Sequence, residues 1–140
     1  MKYMKSGNTY VIRLDIGDEI VSSITSIVEA EGIKLASVSG IGAAKNTVLG
    51  LLDLDEKKYY SKEFEEAYEI GALVGNITQK DSKPYVHLHA VLGDPYNGKC
   101  HAGHLTSAVI CAAGEIFLTV IEGSVGRVFN EEIGLNVMDF

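Results

Sequence analysis

Cysteine and long apolar runs are both scarce in this chain, and each scarcity excludes a class of protein. Two cysteines, Cys100 and Cys111, are too few for the disulfide framework of a small secreted domain. The longest charge-free apolar stretches, 35–44 and 105–114, are too short to cross a bilayer, so we expect no association with membranes. No apolar segment follows residues 1–7, and we therefore expect no signal peptide and a cytoplasmic location.

Positive charge is the second deficit. The chain has 12 Lys and Arg against 19 Asp and Glu, which gives a net charge of -7. The cations are scattered, and Lys57-Lys58 is their only adjacent pair. DNA binding needs clustered cations that neutralise phosphates, and no Arg-Gly-Arg-Pro segment of the AT-hook type is present. We therefore predict no direct binding to DNA.

Apolar residues, by contrast, are plentiful. The chain of 140 residues is 46% hydrophobic, and its mean hydropathy is +0.13. This length suits one domain, 1–140, with no linker or repeat. The composition is apolar for a soluble monomer, so part of the surface is expected to be buried between subunits.

Short alternating or β-branched segments predict about seven strands joined by short turns, and hence a mostly antiparallel sheet. The predicted strands are 9–15, 33–39, 47–54, 57–64, 68–78, 85–92 and 115–122. One principal helix is expected between Asp18, as N-cap, and Gly32, as the residue after the C-cap. Segment 105–112 is ambiguous between strand and helix, and Ala113-Gly114 is expected to end it. The predicted class is α+β.

Two polar or glycine-rich segments leave alternatives open. Gly40-Ile41-Gly42 lacks the third glycine of a dinucleotide fingerprint and is followed by strand-like residues, so we interpret it as a tight turn or a bulge rather than a phosphate site. The acidic run at 63–69 is either a carboxylate site or a solvated sheet edge, and the second interpretation is favoured.

All four histidines fall within residues 84–105. His87 and His89 lie in a predicted strand and share one face, with Cα atoms roughly 6–7 Å apart. After a predicted loop at 93–98, His104 can return to the same place. Three imidazoles with an open fourth position are typical of catalytic zinc. We therefore predict a site for zinc, or another divalent transition metal, formed by His87, His89 and His104.

Alternatives to this site remain. The histidines could instead form a polar cluster bonded to carbonyls or water. Cys100 is a weaker candidate ligand, and the role of His101 is open. If the triad does bind metal, the second ring nitrogens should bond to carbonyl or carboxylate oxygens.

Three motifs resemble the PPC (plants and prokaryotes conserved domain) family: His87-Leu88-His89-Ala90, Gly103-His104-Leu105 and Glu115-Ile116-Phe117-Leu118. The order of elements is also similar over roughly Tyr10 to Val128. The resemblance implies an α/β fold, a homotrimer and a histidine-lined metal site. The family pattern usually has a glycine where this chain has Ala102, a change that leaves His104 in register. A cupin-like jelly roll is the alternative fold, because His-x-His also opens that family's metal motif, although no glutamate follows at the expected spacing.

Two functions follow from these patterns. The first is a small-molecule metalloenzyme, a hydrolase or a lyase, in which Asp94, Glu115 or His101 could act as general base. The second is a non-catalytic oligomerisation or regulatory module, which resembles the domain of plant DNA-binding proteins but lacks an AT-hook. The resemblance implies that in plants such domains contact transcription factors.

Overall fold

Long antiparallel strands and one helix build the fold in the computed structural model, which describes residues 1–140. The elements are β1 (Lys2–Ser6), β2 (Thr9–Leu14), α1 (Ile20–Ala30), β3 (Ala36–Asp53), β4 (Lys58–Phe64), β5 (Tyr68–Lys80), β6 (Lys83–Asp94), β7 (Lys99–Val120), β8 (Gly126–Asn130) and β9 (Leu135–Asp139). The helix lacks the length and apolar character that crossing a membrane requires.

The main sheet closes on itself. Seven strands follow the order β1-β2-β7-β6-β5-β3-β4, and β3 also pairs with β7, while β8 and β9 form a separate hairpin. Strands β3, β5, β6 and β7 therefore form a ring in which every pairing is antiparallel. The predicted antiparallel sheet with a single helix is confirmed. The jelly-roll alternative is wrong, because a single seven-stranded sheet carries the fold and a helix covers its core.

Period-two alternation decides which side chains of β6 enter the core. Leu88, Ala90 and Leu92 are buried against the other strands and α1, whereas His87 and His89 lie on the opposite, outward face. The core has 25 buried hydrophobic residues, and truncating one of its leucines to alanine should cost about 2–5 kcal/mol. The histidines therefore belong to the outer surface of the ring and not to the core.

Strands β3 and β7 are longer than the sequence predicts. Segments 33–39 and 47–54 were expected as separate strands, but β3 runs through Gly40–Gly42 with a bulge there. The tight-turn interpretation is wrong and the bulge is confirmed. A side chain at either glycine would press on β7 backbone, on the Glu115 oxygen at 2.8 Å or the Ala113 oxygen at 2.5 Å. These glycines thus permit close strand approach instead of a turn.

The same reason corrects the expected break at Ala113-Gly114. Strand β7 continues through both residues, and segment 105–112 is strand. Gly114 lies between Leu14 of β2 and Gly42 of β3, where an added Cβ would come within 2.9 Å of the Ile110 side chain. The residues around a glycine do not show whether it occupies a crowded position within a sheet or ends a strand.

The helix N-terminus also differs from the prediction. Glu19, not Asp18, is the N-cap, and its carboxylate accepts hydrogen bonds from the backbone N–H groups of Val21 (3.0 Å) and Ser22 (2.7 Å). The Asp18 carboxylate turns back to accept from the Asp15 N–H, which removes it from the cap. At the other end, Gly32 has a φ of +64° after the C-cap, as predicted.

Candidate metal centre

The three predicted ligands meet on the outward face of the ring. His87 and His89 project from the same side of β6, and His104 of β7 lies directly opposite His89. The three ring centroids are 5.1–5.6 Å apart. One nitrogen from each ring lies within 4.8 Å of the other two. The turn at 95–98 brings them together, because it sets the register that pairs β6 with β7.

The donor set suits a divalent transition metal. Zn–N bonds of about 2.0–2.1 Å around a tetrahedral ion require nitrogens about 3.4 Å apart, so modest rotations of the rings would complete the geometry. Burial is the largest cause of a pKa of about 4 for His87, and the nearby His104, Arg127 and His89 lower it in the same direction. Burial, followed by His89, also lowers the pKa of His104. Both rings are therefore neutral at pH 7, which is the form that binds metal.

His101 does not join the triad. Its ring packs on the other face of β7, 4.4 Å from the Phe64 ring centroid and 5.6 Å from that of Tyr68. Cys100 shares the outward face with His104 but precedes it by four residues, roughly 13 Å along a strand. Neither residue belongs to the cluster of possible ligands.

The proposed general bases lie elsewhere as well. Asp94 ends β6 and accepts hydrogen bonds from the backbone and side chain of Asn97, and the side-chain bond contributes most to lowering the pKa of Asp94. Glu115 lies in the far half of β7, opposite Arg13 and Ile41. The exposed glutamates of the run 63–69 form no ligand cluster either, which agrees with the solvated-edge interpretation.

A tyrosine that the sequence did not indicate borders the triad. Tyr59 of β4 leans across Gly50, which lies opposite His104 in β3, and its ring centroid is 6.1 Å from that of His104. A Cβ at Gly50 would overlap the Tyr59 hydroxyl, so the glycine makes room for this arrangement. Burial raises the pKa of Tyr59, and the nearby Thr106 hydroxyl acts in the opposite direction. At neutral pH the phenol therefore keeps its proton.

Arg127 of β8 is the second unpredicted neighbour. Its Nη2 lies 3.4 Å from Nδ1 of His87, and its guanidinium carbon lies 4.5 Å from the ring centroid of Tyr85. Three stronger hydrogen bonds anchor the same group: Nε donates to Thr78 Oγ1 (2.7 Å), Nη1 to the Asn136 carbonyl (2.8 Å) and Nη2 to Asn76 Oδ1 (2.9 Å).

The contact with Arg127 differs from one expectation, which concerned the metal-bound triad. Carbonyl or carboxylate acceptors were predicted for the second nitrogens of the triad, but the hydrogen bond to His87 comes from a donor. The sequence signal for Arg127 was weak: it is one of two arginines in an acidic chain, and a separate hairpin brings it to the site.

Known proteins share this architecture over the full length of the chain. A metal-containing protein from Archaeoglobus fulgidus is 38% identical, with 100% of each chain covered and a TM-score of 0.90. A candidate DNA-binding protein from Bacteroides thetaiotaomicron is 34% identical over 99% of this chain and 96% of its own, with a TM-score of 0.95. A plant- and prokaryote-conserved (PPC) protein from Pyrococcus horikoshii is 29% identical over 98% of each chain, with a TM-score of 0.85.

Among curated proteins, none matches the chain. The Plants and Prokaryotes Conserved (PCC) domain matches residues 1–122, a span that contains β1 to β7 and the complete histidine triad. The family resemblance expected from the three motifs is thereby confirmed, and the chain belongs to the Plants and Prokaryotes Conserved domain family.

Proposed function

We propose that this protein binds a divalent transition metal, zinc in the first place, through His87, His89 and His104. The observation that carries the proposal is the convergence of three ring nitrogens within 4.8 Å on one face of the sheet. Two of these rings are neutral at pH 7, and no ion pair of the structure includes a histidine. The metal-containing relative from Archaeoglobus fulgidus supports the same function.

The reaction class that we propose is hydrolysis or elimination of a small molecule. When bound by three neutral ligands, zinc supplies a Lewis acid with an open coordination position. Tyr59 beside His104 retains its proton at neutral pH and can donate it, or a hydrogen bond, to a leaving group. Arg127 contributes a fixed positive charge next to His87. The residues thus provide a donor and a cation around the metal, in a site open to the surface.

Assembly into a homotrimer in the cytoplasm is part of the proposal. Apolar side chains remain exposed on the strands of the ring, including Ile41, Val74 and Phe117, which are 56%, 52% and 48% exposed. Val74 lies directly opposite His89, so an apolar surface adjoins the triad. Such a surface is typical of a subunit contact.

A non-catalytic oligomerisation or regulatory module is the second candidate. The same exposed apolar residues favour it, as does the distance of the predicted general bases from the triad. The candidate DNA-binding relative extends this alternative to regulation. With a net charge of -7 and scattered cations, we expect such a role to proceed through a partner protein rather than through DNA.

Elemental analysis of the purified protein tests the metal proposal. We expect one metal ion per protomer in the wild type and a nearly empty site in His89→Ala. His101→Ala is the matched control and should retain its metal, because His101 packs on the other face of β7. Equal metal content in the wild type and His89→Ala would refute the triad. A screen of small-molecule hydrolase and lyase substrates, with and without chelator, then separates the enzyme from the module.

A further inference from the structure

The metal centre is a cationic site in an acidic protein. Its ligands would be three imidazole rings, which bind metal in their uncharged form, and Arg127 is the charged side chain that hydrogen-bonds to one of them. No carboxylate forms an ion pair with His87, His89 or His104. A divalent ion held there would therefore carry its full charge beside a guanidinium, although the chain as a whole has a net charge of -7. Such a site strongly favours an anionic ligand.

The contact between Arg127 and His87 indicates where such an anionic ligand would accept a hydrogen bond. A neutral imidazole has one in-plane lone pair, and in the free protein that of His87 accepts the Arg127 Nη2–H at 3.4 Å. When His87 gives this lone pair to a metal, its other nitrogen carries a proton and can accept nothing. One N–H of Arg127 then loses its acceptor, whichever ring nitrogen is the ligand. An unpaired donor beside an open coordination position needs a new acceptor.

Arg127 cannot simply turn away to find one. Its Nε, Nη1 and the second Nη2 hydrogen remain bound to Thr78, Asn136 and Asn76 on two different strands. Its flat face also packs on Tyr85. The freed N–H is therefore held in place at the edge of the site, a preorganised donor that an incoming ligand does not have to order.

We propose that the open position of this metal centre takes a small organic carboxylate, with one oxygen toward the metal and the second accepting from Arg127. The proposal rests on the metal-binding function proposed above. A carboxylate satisfies both requirements, since it is an anion whose first oxygen can face the metal while its second accepts a charge-assisted hydrogen bond. Arg127 is accordingly the residue that determines ligand class, and carboxylic acids are the substrate class to be tested first.

Cobalt-loaded protein provides a direct measurement that does not depend on catalysis. Cobalt(II) replaces zinc in histidine sites and gives visible absorption that changes when an anion enters the coordination shell. Acetate is titrated into the wild type, Arg127→Gln, Arg127→Lys and Arg13→Gln, and the affinity of each protein for cobalt is measured separately. Arg13 is the matched control: it is the other arginine, it pairs with Asp15 at 2.9 Å, and its replacement changes the net charge by the same amount.

We expect acetate to bind wild type and Arg13→Gln equally, and Arg127→Gln about tenfold or more weakly, the loss expected for one charge-assisted hydrogen bond. Cobalt affinity should be unchanged or higher in Arg127→Gln, because a positive charge beside a dication has been removed. A purely structural arginine would lower both affinities together. Arg127→Lys keeps the charge and should lose less acetate affinity than Arg127→Gln.

Each other outcome overturns the proposal. Unchanged acetate affinity in Arg127→Gln, or parallel loss of cobalt and acetate binding in both Arg127 variants, would refute the role of Arg127. Cobalt binding without any spectral response of the wild type to acetate would refute the ligand class while leaving the metal function intact. Failure of the wild type to bind cobalt would refute the metal function and, with it, this inference.

Discussion

Gly75 controls how closely β5 and β6 approach at the histidine triad, and replacing it with alanine should lower the stability of the fold and disturb the triad. It lies opposite Leu88, next to the pair formed by Asn76 and His87. A Cβ at this position would overlap the carbonyl oxygen of His87 and approach the Leu88 Cα to 2.9 Å. All of these atoms belong to the backbone, so no side-chain rotation can relieve the overlap.

The cost follows from what must move. Separating β5 from β6 here strains the core packing, which costs about 1–3 kcal/mol. It also weakens neighbouring hydrogen bonds between the strands, each of which contributes about 1 kcal/mol. We expect Gly75→Ala to lower the free energy of unfolding by about 3 kcal/mol or more. Because the His87 backbone shifts, metal content should fall as well.

Gly71 of the same strand is the matched control. The nearest atom to a Cβ there is the Val91 carbonyl oxygen at 3.9 Å, an ordinary contact, and its backbone is not left-handed. Gly71→Ala should therefore be neutral or stabilising by about 0.4–1 kcal/mol, because alanine restricts the unfolded chain.

Urea unfolding of chelator-treated protein, at one fixed protein concentration, measures both variants. A Gly75→Ala protein with the wild-type midpoint would refute the argument, and so would equal losses in Gly75→Ala and Gly71→Ala. The second outcome would show that any alanine in β5 is harmful, whatever space the structure leaves for it.

Three further predictions concern pH, assembly and DNA. Acidification from pH 6.5 to about 4 should destabilise the chelated protein. Burial lowers the pKa of His87 to about 4 and also lowers that of His104, so the unfolded chain binds more protons in this range; a urea midpoint that does not fall would contradict this. Sedimentation equilibrium at micromolar concentration should give three times the chain mass of 15.1 kDa, and a monomer would refute the trimer. Mobility-shift assays at about 150 mM salt should show no sub-micromolar DNA binding, and a shift there would prove the charge argument wrong.

The histidine triad could be predicted from the sequence because its geometry depends mostly on residues close together in the chain. Alternation in an extended strand fixes the common face of His87 and His89, and a short turn limits where His104 can return. The neighbours of the triad could not be predicted from the sequence. Tyr59 arrives from β4 across a gap left by Gly50, and Arg127 arrives from the β8–β9 hairpin. No spacing along the chain encodes these contacts, since they depend on how the sheet closes.

The predicted lengths of β3 and β7 were wrong for a related reason. Glycine in a strand-like segment usually signals a turn, yet Gly42 and Gly114 face each other within the antiparallel pairing of β3 and β7. These positions require glycine because the neighbouring strand lies too close for a side chain. The sequence around each glycine does not contain that information. Because both strands were predicted to end at these glycines, the sequence did not indicate the pairing between β3 and β7 or the closure of the ring.

The position of His101 shows how one boundary can decide a site. Residues three apart in a strand point to opposite faces, so His101 and His104 cannot both face the triad once β7 is known to begin at Lys99. The sequence interpretation placed residues 93–98 in a loop and started the next apolar segment near His104, which left His101 free to turn either way. In the structure the strand includes both residues, and the ring of His101 stacks on Phe64 instead. Because β7 already includes His101, the structure removes this residue as a candidate fourth ligand, and the proposed metal would keep one coordination position for a ligand from outside the chain.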